Sequence, residues 1–103
     1  MMNLTKVLAE DRRLAMLRTL AEVPGYNLNE DIVRQVLERL GSPGATKDLI
    51  RADLQFLEQH GLIRVEKMPK ATGDLWIAHL LLAGQDVANG RPHAGIAQLQ
   101  PDD

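Results

Sequence analysis

Apolar residues recur through the first forty positions at the three-and-four spacing of helices, then gather into short runs typical of strands. Leu14, Leu17, Leu20 and Ala21 share one helical face, with Val7 a turn earlier. This predicts a first helix from about Thr5 to Glu22, capped by Thr5 and ended by Pro24-Gly25. Tyr26-Asn27-Leu28 reads as a short extended piece able to dock beside a later hairpin. Asn29 then caps a second helix, about Glu30 to Leu40. Glu30 and Asp31 sit in its first turn, where the helix dipole favours negative charge. Ile32, Val33, Val36, Leu37 and Leu40 give this helix its apolar face, Gly41 suits the left-handed position after it, and Ser42-Pro43-Gly44 forms a turn.

The stretch from Ala45 to Leu80 carries the most information. Thr46 opens a third helix reaching His60, with Ile50, Leu54 and Leu57 as its inner stripe, widened by Leu49 and Phe56. Gly61 ends it. An apolar strand begins at Leu62, Ile63 and Val65, a loop broken by Pro69 and Gly73 follows, and Leu75, Trp76, Ile77 and Leu80 belong to a second strand. The segment LLAGQDVANG gives a short last helix stopped at Gly90. This order predicts a mainly α protein with a small β-hairpin, a winged helix-turn-helix. It comprises a three-helix core, a two- or three-stranded wing and a short C-terminal helix. One domain over residues 1–90 is expected. The remainder, RPHAGIAQLQPDD, has little periodicity and is expected to be a flexible tail over 91–103, with Ile96 and Leu99 as its only sizeable apolar residues.

Two features do not fit a simple amphipathic pattern. Leu4 and Leu8 project from a different face of the first helix. They either fold over the core as a frayed first turn or form a homodimer contact. Asp53 falls in the middle of the apolar arc of the third helix, where an unpaired carboxylate would be costly. Arg13 lies beside the apolar face of the first helix. An Arg13–Asp53 ion pair is therefore expected, or Asp53 accepting from backbone N–H groups, in a structural role rather than a catalytic one.

Composition narrows the class. The 103 residues suffice for one core, and with aromatics at 3% that core must be aliphatic. The chain has no cysteine, so no disulfide framework and no thiolate metal site. The N-terminus is charged early and no apolar run is long enough to span a bilayer, so a cytoplasmic protein without a membrane segment is expected. The net charge of −2 argues against a strong nonspecific nucleic-acid binder but allows a specific one with a local basic face.

The outer face of the third helix holds Thr46, Lys47, Asp48, Arg51, Ala52, Gln55, Glu58 and Gln59. Arg can read guanine, Gln can read adenine, and Lys or Thr can hold phosphate. Lys67 and Lys70 in the wing, with Arg64 just before, suit the phosphate backbone or minor groove, although Glu66 and Asp74 offset them. Arg12 and Arg13 could anchor phosphate, against the plainer reading of surface pairs with Glu10 or Asp11 and the Asp53 pair above. His60, His79 and His93 lack metal-ligand spacing, so no metal and no cofactor is expected. His60 reads as a C-terminal helix residue favourable to the dipole, and Trp76 as a packing residue. No phosphate loop, nucleophile elbow or Cys–His pairing occurs, so nothing supports an enzyme.

The stretch IRADLQFLEQHGLIRVE resembles the ArsR-like winged helices, and LLAGQDVANG resembles their last helix. The opening LAEDRRLAMLRTLAEVPGYNLNEDIVRQVLERLG is similar to a small set of uncharacterised winged-helix proteins of Mu-like phages and prophages. Together these cover about residues 4–90. The resemblance implies a homodimer on operator DNA, but metal sensing does not carry over without the cysteine motif. The resulting expectation is a sequence-specific binder of double-stranded DNA, a phage or prophage transcriptional regulator. Its helix 46–60 would lie in the major groove and its wing 66–74 on the backbone. Arg51 and Gln55 would read bases, and Thr46, Lys47, Lys67 and Lys70 would hold phosphates. The alternative is a protein-interaction module, such as an accessory of phage assembly or DNA packaging. A weaker third is an effector-binding regulator with a pocket at the dimer seam.

Overall fold

A computed structural model of the chain describes residues 3–99. Its first helix, α1 (Leu4–Glu22), starts two residues earlier than a Thr5 cap would allow. Asn3 is the cap, its side-chain oxygen accepting from the Lys6 N–H at 3.2 Å. Thr5 already lies inside the helix. Asparagine outranks threonine at this position because its side-chain carbonyl reaches the free N–H of the first turn more readily. Only the second half of α1 is fully seated: Met16, Leu17 and Leu20 are buried, whereas Leu4 is 64% and Leu8 49% exposed. The first turn therefore does not fold over the core.

A single turn over Pro24–Tyr26 leads into strand β1 (Asn27–Asn29). Asn29 ends that strand and caps α2 (Glu30–Arg39), accepting from the Ile32 N–H at 3.0 Å. Thr46 caps α3 (Lys47–Gln59) in the same way, accepting from the Leu49 N–H at 3.2 Å. Ile50, Leu54 and Leu57 of α3 meet Val33 and Leu37 of α2 and the buried end of α1 in one aliphatic core. Gly61, at φ +72°, turns the chain out of α3.

Strands β2 (Ile63–Met68) and β3 (Leu75–Leu80) form an antiparallel hairpin, with Ile63 opposite Leu80 and Met68 opposite Leu75. Its tip is tight: Lys70 and Gly73 exchange backbone hydrogen bonds of 3.1 and 3.2 Å. β1 pairs antiparallel with the other edge of β3, Leu28 opposite Ala78, giving a three-stranded sheet in the order β1-β3-β2. The architecture is thus mixed α/β, with helices packed on one small sheet. No helix among the described residues is long and apolar enough to cross a membrane.

Helix α4 (Leu82–Ala88) returns across α1. Gly84 is buried where a Cβ would overlap the Leu62 carbonyl oxygen and crowd Leu80, so this crossing needs a residue without a side chain.

Residues 91–99 are packed rather than loose. Ile96 is buried with only 6% of its surface exposed, the Ala97 N–H donates to the Glu10 carbonyl at 3.1 Å, and Gly95 sits against the Phe56 ring. The expected flexible tail is corrected over this stretch. A single apolar anchor plus backbone hydrogen bonds hold it, and neither produces a periodic pattern. The rest of the expected tail, 100–103, lies outside the described residues.

Gly84→Ala should push α4 off Leu62 and lower the thermal midpoint by several degrees, while Ala83→Gly, at an exposed site in the same helix, should cost only about 1 kcal/mol. Circular dichroism melts of the two variants check this.

Candidate functional site

Two acid–arginine clusters hold α3 in place, and they decide which of its side chains remain available. In the first, the Glu30 carboxylate is 2% exposed at the start of α2. It accepts from Arg51 Nε at 2.6 Å, from Arg51 Nη2 at 2.8 Å and from the Trp76 backbone N–H at 2.7 Å. Arg51 Nη2 also donates to the Asp74 carbonyl at 2.8 Å, and the guanidinium lies 4.5 Å from the Trp76 ring centroid. One arginine thus ties α2, α3 and the hairpin together. Burial alone would raise the Glu30 pKa. The Arg51 and Trp76 hydrogen bonds, with the positive charges of Arg51 and Lys47, outweigh it and hold the carboxyl below its ordinary 4.5. Donating the same hydrogen bonds to Glu30 raises the pKa of Arg51.

In the second cluster Asp53 accepts from Arg12 Nε at 2.6 Å and from Arg13 Nε at 3.1 Å. Arg13 also donates to the Gly95 carbonyl at 2.9 Å, and its guanidinium stacks 3.9 Å from the Phe56 centroid. Asp53 is thus paired with Arg13 and, in addition, with Arg12, whose partner is not Glu10 or Asp11. Neither arginine is free to anchor a phosphate. His60 and His93 meet edge to face with ring centroids 5.1 Å apart. Among the described residues no group of three or more His, Cys, Asp or Glu side chains is placed to hold a metal ion.

The remaining candidate residues lie on the open side. Thr46, Lys47, Asp48, Ala52, Gln55 and Gln59 are exposed along α3, and the docked 91–99 segment meets this helix at Phe56 and, through His93, at His60. The Thr46 hydroxyl oxygen is used by its cap. Glu58 turns aside to accept from the Val65 N–H at 2.7 Å, which removes one carboxylate from the open face. Lys70 is exposed at the hairpin tip, and the Lys67 ammonium lies 4.7 Å from the Trp76 centroid, on the hairpin's flank. Arg34 of α2 and Thr46 line one small cleft at the start of α3. Arg51 is therefore displaced from the open set of side chains by its closed contacts with Glu30 and Asp74.

Glu30 is the residue that sequence reasoning missed. Its place in the first turn of α2 suits the helix dipole, yet Glu30, Val33 and Leu37 occupy a single buried stripe at helical spacing. An acid on a buried stripe, like Asp53, calls for an arginine partner.

These elements define a small mixed α/β protein with an open helix face beside a basic hairpin tip. No protein-family profile matches the chain. It is 32% identical over 96 residues to the uncharacterized protein gp26 of Escherichia phage Mu, an alignment that spans 92% of this chain and 94% of that protein. It is 36% identical over 67 residues to an uncharacterized protein of Haemophilus influenzae, spanning 65% of this chain and 64% of that protein, a little under two thirds of its length. The chain belongs to the family of phage Mu gp26.

Arg51→Met keeps the aliphatic stem but strands the buried Glu30 carboxylate, so it should cost about 3–5 kcal/mol at neutral pH. The loss should shrink in the Glu30→Gln background, because the two residues act as a unit. Since Glu30 titrates below 4.5 when folded, its pairing contributes fully above that pH and is lost as pH falls through the lower, folded value. Urea unfolding from pH 7 to 3 should show an acid limb that is shallower in Glu30→Gln.

Proposed function

We propose that the chain is a winged helix-turn-helix DNA-binding protein of Mu-like phages and prophages, acting as a transcriptional regulator. The chain order of helices and strands, with the strand order β1-β3-β2, is that expected of such a module. The observation that carries the reading is the Arg51 bridge. By holding α3 through Glu30 and the hairpin through Asp74, it keeps the Lys70 tip beside an open, polar helix face. A helix and a basic loop in fixed relation match a major groove and its adjoining backbone.

In this reading Arg51 positions the surface and does not read bases. Gln55, exposed on the outer face, takes the base-reading role and suits adenine. Thr46, Lys47, Lys67 and Lys70 hold phosphates, joined by Arg34 beside Thr46. Asp48 and Asp74 on the same side keep nonspecific affinity low, in line with the net charge of −2.

The second reading is a protein-interaction module of phage assembly or DNA packaging, favoured by these same carboxylates on the open face. Selection from a random duplex library at moderate and low salt separates the two. Enrichment of a motif supports DNA recognition, whereas no retention even at low salt favours a protein partner, because phosphate contacts strengthen as salt falls.

Gln55→Ala should relax the preference at one base position at a cost of about 1–3 kcal/mol, while Lys70→Ala should weaken all sequences alike and reduce the salt slope by about 1. Fluorescence anisotropy on the selected duplex and single-base variants, across a salt series, measures both.

A further inference from the structure

We infer that α3 reads a cytosine through Asp48 and a thymine methyl group through Ala52, ahead of the adenine read by Gln55. The inference rests on the DNA reading above and names the bases that this surface selects. Asp48, Ala52, Gln55 and Gln59 follow one another at spacings of four, three and four, which places them on one face of α3. All four are exposed, on the side opposite the buried Ile50, Leu54 and Leu57.

The contacts that fix α3 leave this stripe alone. Arg51 is engaged by Glu30 and by the Asp74 carbonyl, and Glu58 accepts from the Val65 N–H. The docked 91–99 segment meets the helix at Phe56 and His60. Asp48 forms no ion pair among the described residues. Its carboxylate stands outward in the first turn of α3, the part of a recognition helix that contacts base edges. The helix dipole favours an acid in this turn whichever way it faces. On this face the acid also meets the groove.

A carboxylate in the major groove is selective because it can only accept. Guanine N7 and O6 and thymine O4 are acceptors and repel it. Adenine sets the acceptor N7 beside its N6 donor, whereas cytosine presents its N4 donor alone. One turn further on, Ala52 offers a methyl group and no polar side-chain atom, which suits the C5-methyl of thymine. Gln55 then accepts from N6 of adenine and donates to its N7. Asp48 and Gln55 are two turns apart, about 10.5 Å along the axis. Stacked base pairs rise about 3.4 Å each, so the cytosine and the adenine lie about three base pairs apart, with the thymine between them. The carboxylate that selects cytosine also repels phosphate, so base choice and weak nonspecific binding have one source.

The duplex selection supplies the motif, and fluorescence anisotropy on duplexes with single-base changes tests it. The wild-type chain should enrich a cytosine and an adenine about three base pairs apart with a thymine between them. Exchanging the C·G pair for U·A replaces the N4 donor by an acceptor and should weaken binding about tenfold or more. Replacing the thymine by uracil removes only the methyl group and should weaken binding about fourfold. Both measurements use the wild-type chain, so neither depends on the folding of a variant. Asp48→Ala, with its helix content verified by circular dichroism, should lose the cytosine preference while binding random duplexes more tightly. A purely structural role of Asp48 lacks that signature. An enriched motif without this spacing, indifference to either base exchange, or a cytosine preference that survives in Asp48→Ala would overturn the inference and leave the DNA reading standing. No retention of any duplex at low salt would overturn the DNA reading itself, and this inference with it.

Discussion

The pairing of Arg51 with the buried Glu30 is the constraint on which the rest of this structure depends. A carboxylate out of water needs its charge met and its lone pairs filled, and here one guanidinium and one backbone N–H do both. The consequence is geometric rather than merely stabilising. Glu30 belongs to α2, Arg51 to α3, and Trp76 and Asp74 to the hairpin, so their relative positions follow from one set of hydrogen bonds. Two residues further along, Asp53 points to the other flank of α3 and binds Arg12 and Arg13 of α1. The helix is therefore pinned on both sides while Ile50, Leu54 and Leu57 seat it on the core. What remains outward is a polar face that cannot roll.

Much of the fold was legible in the sequence because local rules agreed with the final packing. The helical spacing of α2 and α3, the caps at Asn29 and Thr46, and the glycine exits at Gly41 and Gly61 are all set within a few residues of where they act. The Arg13–Asp53 pairing could be read from helical wheels, since both residues depart from a clear apolar pattern. Failures arose where the deciding contact was distant or aperiodic. Arg51 lies on the polar side of its helix, and nothing near it announces that Glu30, 21 positions earlier, will face it. Segment 91–99 is held by Ile96 and by hydrogen bonds to Glu10 and Arg13, which leave no repeating trace.

The surface divides into regions of different character. The α3 and hairpin side is polar, with Lys47, Gln55 and Lys70 outward. The α1 side carries exposed leucines and, in Asp11 and Arg18, opposite charges that form no ion pair among the described residues. Between them, the 91–99 segment seals the Phe56 flank. In the proposed winged-helix regulator the first region meets DNA.

The central claim is that α3 and the hairpin together form a DNA-binding face. Two-dimensional amide NMR of the full chain, titrated with duplex DNA at low and then moderate salt, tests it most directly. The account predicts shifts concentrated at Lys47, Gln55, Lys67 and Lys70, with Leu54 and Leu57 in the core little changed. Shifts confined to α1, or none even at low salt, would contradict it.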